Sequence, residues 1–355
     1  MQGGVRRGLP YTEDMRPYLA PPAAGSTTPT PAPTFSVLIP AYQAAETIGE
    51  TLESAFAQTL PPHEVIVCDD GSTDALEAAL APYRDRIVLL RKKNGGAASA
   101  RNAALRAASA EFVAQLDSDD AFLPDRLQAL AELATERPDL DILATDAYFE
   151  FQGKVVGRFY DAQMPFPTED QRTAIFDRCF VGWPAVRRRR LLAIGGFDES
   201  LVTGDDWDAW MRLILDGAQA GVVTEPLLRY RLTPGSVSSD RVRVLRERVA
   251  ILDKTAQHPS VTPSERQALA SARRSMHRRA LFAETHEALL ARRPDARRRA
   301  LALVVGRGLD FRTRIKALAA VLAPGAARRA LERRDLGGRS RMTRPIPQTN
   351  RGASG

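Results

Sequence analysis

Cysteine is scarce: only Cys68 and Cys179 occur in 355 residues, far apart and with no CxxC spacing, so neither a zinc site nor a disulfide framework is indicated. Cys68 reads as strand filler. No stretch reaches the roughly 18 uncharged apolar residues that a membrane-spanning helix needs, and the opening MQGGVRRGLP lacks the apolar centre of a signal peptide. A cytoplasmic protein is therefore the expectation. Repeats of the solenoid kind are also missing. What is present is an ordinary globular composition, 44% hydrophobic, long enough for one large or two modest domains.

Acidic charge is depleted in the second part of the chain. Residues 1–240 hold 23 Lys and Arg against 34 Asp and Glu, a balance of −11, while residues 241–355 hold 27 against 9, a balance of +18. The basic part is attracted to something anionic: a membrane surface, a nucleic acid or the acidic first part. A nucleic-acid partner is disfavoured, because the arginines sit in Ala/Leu helical patterns with almost no interleaved aromatics to stack on bases. Residues 301–323, LALVVGRGLDFRTRIKALAAVLA, combine apolar runs with Arg312, Arg314 and Lys316. That pattern suits an anionic membrane surface, or a helical bundle packed on the acidic domain.

Four segments follow along the chain. Residues 1–34 form a Pro/Ala-rich leader expected to be disordered, because so little apolar area cannot offset the entropy of ordering. Residues 35–240 form the main domain, 241–335 a basic helical region broken near Pro259, Pro294 and Pro324, and 336–355 a solvated tail. From residue 35, apolar runs (FSVLIPA, HEVIVCDD, RIVLLRK, FVAQLDSD, DILATDAYFE) alternate with helical patterns over about 46–58, after Ser72, and over about 97–108 and 124–137. This βαβα rhythm predicts an α/β fold with a mainly parallel sheet between helices, and ligands at the carboxyl ends of its strands.

Three polar clusters fall at those ends. In CDDGSTD (68–74) an Asp can accept from a nucleobase or from ribose hydroxyls, although a plain turn and helix cap would use the same residues. In NGGAASARNAAL (94–105) two glycines open a helix for close approach of an anion, with Arg101 one turn inside; a packing helix with a solvent-facing Arg is the bland reading. In DSDD (117–120), Asp117 and Asp119 form an Asp-x-Asp pair whose extended i, i+2 spacing points both carboxylates one way, fit for a hard divalent cation. Asp117 lies too far upstream to be only a cap for the helix after Pro124.

Together with GGFDESLVTGDDWDAWMRL and LLRYRLTPGSVS, these motifs resemble, in order, family 2 glycosyltransferases of the inverting GT-A type, over residues 35 to about 240. The resemblance implies a donor nucleoside held by Pro40, Ala41, Tyr42 and Asp70, with Arg101 on nucleoside or diphosphate. It implies a cation, Mn2+ or Mg2+, on Asp117 and Asp119, with Asp117 also on the nucleotide side. In the acidic pair before W-D-x-W, it implies Asp206 as general base, with Asp205 and Trp207 beside it at the helix start facing the acceptor. The implied reaction transfers one sugar from a nucleotide-diphosphate sugar, most commonly a UDP-sugar, to a hydroxyl acceptor in cell-surface polysaccharide or glycolipid synthesis, with a lipid-linked glycan as one acceptor class. The place would be the cytoplasm, peripherally at the inner face of the membrane. Two departures stand out: Thr233 replaces the family's common His, and the Gln-x-x-Arg-Trp motif of processive members is missing. A catalytically silent nucleotide-sugar-binding scaffold is the alternative; intact Asp70, Asp117, Asp119 and Asp206 argue against it.

Overall fold

The computed structural model describes residues 32–161, 164–233, 240–305 and 311–331. Nearly all of the expected leader and the whole expected tail lie outside the described residues, as do residues 234–239, which include all of the TPGSVS segment but Thr233.

The expected rhythm forms strand by strand. β1 (Phe35–Ala41), α1 (Ile48–Phe56), β2 (Glu64–Asp69), α2 (Leu76–Leu80), β3 (Val88–Arg91), α3 (Ala97–Ala107) and β4 (Phe112–Gln115) follow one another. The two-residue β5 (Ala121–Phe122) precedes α4 (Arg126–Glu136), β6 (Ile142–Phe151) and β7 (Lys154–Arg158). Then come α5 (Gln171–Asp177), β8 (Ala185–Arg187), α6 (Arg188–Ala193), α7 (Asp205–Leu215) and β9 (Ala220–Arg231). The sheet order is β3-β2-β1-β4-β8-β6-β9-β5, with β7 paired to β6. β3, β2, β1 and β4 are mutually parallel, and so are β6 and β9; β8 runs antiparallel between the two groups. The sheet is thus mixed, with a parallel half that gathers the ends of β1, β2 and β4 on one edge.

β1 and β2 are buried on both faces, and period-two alternation sorts their side chains into two cores. Val37, Ile39, Val65 and Val67 face Ile48 and Leu52 of α1 and Leu127 and Leu130 of α4. Leu38, Ile66 and Val113 join the opposite core, with Ala104 of α3 and Trp210 of α7.

That second core extends into the basic region. α8 (Arg241–Thr255) contributes Leu245, Val249 and Leu252, and α9 (Pro263–Leu290) contributes Leu269 and Met276. Burying each such side chain stabilises by about 1.5–3 kcal/mol. α9 begins with a capping box in which Thr262 and Glu265 exchange hydrogen bonds, behind Pro263 at the first helical position. α10 (Ala296–Val305) and α11 (Phe311–Leu322) pack instead around a small third cluster with Ala288, Leu289, Ala300 and Ala320. Within residues 301–323 the described residues belong to α10 and α11. They leave Leu301, Val305, Ile315, Leu318 and Leu322 exposed, and among the described residues no helix is long and apolar enough to cross a membrane.

Candidate active site

The loop after β1 and the turn after β2 are knitted together at the sheet edge. The Gln43 side chain accepts from the backbone N–H of Thr73 and Asp74, while its own backbone N–H donates to Ser72 Oγ. Gln43 sits at φ +53°, and Asp74 in return accepts from the N–H of Ala45. Gly71 is obligatory: its φ is +78°, and a Cβ would lie 2.9 Å from the backbone nitrogen of Asn94. On this platform Pro40 is half-buried, Ala41 buried and the Tyr42 ring 52% exposed.

Asp70 is buried and shapes the neighbouring glycine turn. Its carboxylate accepts from Lys92 Nζ at 2.7 Å and from the N–H groups of Gly95 and Gly96 at 3.0 and 2.7 Å. Sequence reasoning missed Lys92, whose only signal is its place two residues before the Asn-Gly-Gly turn.

α3, which follows that turn, carries Arg101 inward rather than to solvent. Its Nη2 donates to Asp117 Oδ1 and its Nη1 to Asp205 Oδ2, both at 2.7 Å, and the Phe197 ring lies 5.9 Å away. Burial works against the guanidinium's charge, but the two carboxylates outweigh it and raise its affinity for the proton above the usual arginine range. One side chain thereby ties the end of β4 to the start of α7, where Asp205 lies 104 residues beyond Arg101.

Asp117 to Asp120 form a turn, closed by Asp120 N–H donating to Asp117 O at 3.0 Å, not the extended pair expected from i, i+2 spacing. The turn still crowds the carboxylates. Burial and then the charge of Asp117 push the Asp119 carboxyl upward; burial, Asp117 and Asp119 push the fully buried Asp120 well above the usual range. Asp120 Oδ1 accepts from the N–H of Arg231, whereas among the described residues its Oδ2 has no hydrogen-bond partner. Behind the turn Arg126 is 1% exposed, hydrogen bonded to Thr145 Oγ1 and Trp183 O, and burial depresses it to about 9. In sequence Arg126 is indistinguishable from a surface arginine of an amphipathic helix.

At the start of α7, Asp205 is 5% exposed and bound to Arg101. Asp206 keeps partial solvent access in the same cleft. Burial and the neighbouring Asp205 push its carboxyl up to about 6, against the opposing pull of Arg101 and a hydrogen bond from Trp207 N–H. Trp207 turns inward, its indole N–H donating to Ile175 O at 2.8 Å. Thr233 is exposed just past β9.

Among the described residues no three His, Cys, Asp or Glu side chains cluster as a self-sufficient metal cage. The donor set nevertheless fits a hard cation: crowded carboxylates with raised proton affinity, and a buried oxygen of Asp120 without a partner. Mg2+ and Mn2+ need only one or two such carboxylates when phosphate oxygens and water complete the shell.

A parallel half-sheet with polar turns at its carboxyl edge, facing a helix that starts with a carboxylate pair, is the GT-A type of α/β fold. S. aureus TarS 1–349, solved with UDP-GlcNAc, superposes with a TM-score of 0.59 at 21% identity, covering 86% of this chain and 92% of that one. A mannosyltransferase of Pyrobaculum calidifontis, solved with GDP-Man and Mn2+, superposes at 0.54 and 22% identity, covering 85% and 82%. The glycosyl transferase family 2 pattern matches residues 36–194. The teichuronic acid biosynthesis glycosyltransferase TuaG of Bacillus subtilis, named as putative, is 31% identical over 59% of this chain and 83% of its own length. The Escherichia coli enzyme WfgD, named as a UDP-Glc:α-D-GlcNAc-diphosphoundecaprenol β-1,3-glucosyltransferase, is 27% identical over 63% of this chain and 87% of its own. This chain belongs to glycosyl transferase family 2.

Proposed function

We propose that this glycosyltransferase takes its sugar from a UDP-sugar and passes it, with inversion and one sugar per binding event, to a hydroxyl of a lipid-linked glycan. The observation that carries the reading is the double ion pair of Arg101, which links the Asp-x-Asp turn to the helix bearing Asp206. A donor diphosphate at Asp117 and an acceptor hydroxyl at Asp206 then face one another across a single guanidinium.

Asp206 removes the proton of the acceptor hydroxyl as its oxygen bonds to the anomeric carbon, and the bond from that carbon to the diphosphate oxygen breaks. Attack opposite the leaving group gives inversion with no covalent enzyme intermediate. Tyr42, Pro40 and Ala41 hold the nucleoside end, beside the turn whose glycines Asp70 fixes. A divalent cation on Asp117 and Asp119 would supply positive charge to the departing diphosphate. Arg101 adds a fixed cation in a water-poor cleft, where it acts strongly. The UDP-sugar and diphosphoundecaprenol acceptor in the name of WfgD and the UDP-GlcNAc bound by TarS support the substrate class. The exposed apolar side chains of α10 and α11, beside Lys316 in a strongly basic region, support docking on an anionic membrane surface where such acceptors reside.

Titration calorimetry of UDP, with and without Mn2+, on wild type and Asp119→Ala tests the donor site. Binding that needs Mn2+ and is lost in the variant is expected. Equal binding in all four titrations would overturn the metal assignment, and no binding at all would overturn the UDP assignment.

A further inference from the structure

In the sheet, β2, β1, β4 and β8 are neighbours in that order. β8 runs antiparallel to the other three, so its first residues, not its last, lie at the edge where β4 ends. Ala185 of β8 stands opposite Ala114, and Pro184 O accepts from Gln115 N–H at 3.1 Å. Continuing that register sets Trp183 level with Leu116, one residue before Asp117. On its other side the Trp183 ring is 4.7 Å from that of Tyr230, next to Arg231, whose N–H donates to Asp120 Oδ1. Trp183 is thus tied to both the entry and the exit of the Asp-x-Asp turn.

Its backbone is strained. At φ +43°, Trp183 is the one aromatic among the described non-glycine residues of positive φ; the others, Gln43, Gln152, Asp170 and Arg292, are polar and lie in loops, turns or at helix ends. A bulky side chain is unfavourable there, and directly before a proline extended backbone is preferred. Neighbours hold the conformation: the buried Arg126 donates to Trp183 O, and Gly182 passes so close to the Phe159 ring that a Cβ would lie 3.2 Å from it. Strain that the surroundings maintain in this way clusters at ligand sites. The ring also remains accessible. Of the three tryptophans, Trp207 and Trp210 are buried, whereas Trp183 keeps part of its surface in solvent.

We propose that Trp183 is a specificity-determining residue whose indole face stacks on the sugar ring of the donor. This rests on the donor reading above: with the nucleoside at β2 and β1 and the diphosphate at the turn after β4, the sugar beyond the diphosphate falls at the next strand, β8. A pyranose offers a face of C–H groups with partial positive charge, which the electron-rich face of an aromatic ring attracts. The contact is one that UDP without its sugar does not make.

The test compares UDP, UDP-glucose and UDP-GlcNAc, each with Mn2+, on wild type, Trp183→Phe and Trp183→Leu. Because the other two tryptophans are buried, quenching of the wild-type fluorescence by acrylamide reports on Trp183. At least one UDP-sugar is expected to protect that fluorescence where UDP does not, and the protection should vanish in Trp183→Phe. In calorimetry Trp183→Leu should weaken the same UDP-sugar about three- to tenfold, the factor an aromatic contact supplies, and leave UDP unchanged. Trp183→Phe, which keeps a ring, should retain most of the affinity. Protection by UDP equal to that by both UDP-sugars, no protection by any of the three although UDP binds, or equal weakening of UDP and UDP-sugar in Trp183→Leu overturns the proposal and leaves the donor reading standing. If none of the three nucleotides binds wild type, the donor reading itself fails, and the proposal with it.

Discussion

Two neighbouring aspartates take different parts because different groups reach them. Asp205 is bound directly by Arg101, whereas Asp206, with no such partner, is pushed up to about 6 by burial and by the charge of Asp205. A base must be unprotonated, so kcat/KM should fall about tenfold per pH unit below about 6 and level off above it. A profile flat from pH 4 to 8 would remove Asp206 from that role. Asp206→Asn should lose about 10²–10⁴-fold in transfer while still binding UDP, since an amide cannot take the proton. Loss of UDP affinity to the same degree would instead mark Asp206 as a donor ligand.

At the scale of elements, the cleft depends on loops tied to helices by a few buried polar side chains. Asn102 of α3 accepts from Phe197 N–H and donates to Phe197 O, each at 2.8 Å, so the Gly-Gly-Phe-Asp loop is fixed to the helix that carries Arg101. Asn102→Ala leaves both backbone groups unpaired and should cost about 1–3 kcal/mol in denaturant unfolding. No change would mean that water replaces the amide. α9 is joined to α5 by Arg172, which bonds both oxygens of Glu265. Arg172, opposed by burial, holds Glu265 down to about 2 from its ordinary 4.5, so this stabilisation is complete above 4.5 and disappears as pH falls through about 2. Thermal melts should separate wild type from Glu265→Gln at pH 7 and bring the two together near pH 2.

Across the whole molecule, the uneven charge of the chain resolves into two arrangements. α8 and α9 pack into the same core as the sheet, while α10 and α11 surround a cluster of their own and leave apolar side chains outside. Co-sedimentation with anionic liposomes should therefore weaken in Ile315→Glu and Leu322→Glu, and in high salt, with UDP binding intact. Binding that ignores both substitutions would place membrane attachment elsewhere.

By itself the sequence determined the parallel half-sheet, since FSVLIPA, HEVIVCDD and FVAQLDSD have local apolar patterns that permit little else. It also marked the acidic turns, because glycine and clustered aspartate leave a local signature. It did not reveal β9, where Pro226 coincides with a shift of register against β6, nor β8, whose three residues owe their pairing to β4 and β6. Only the tertiary structure decided that Arg101 joins Asp117 to Asp205, that Arg126 is buried, and that Arg248 meets Trp207. An arginine in a helix has the same letter and the same periodicity whether it faces water or an aspartate a hundred residues away; its partner is set by packing, which no local pattern encodes.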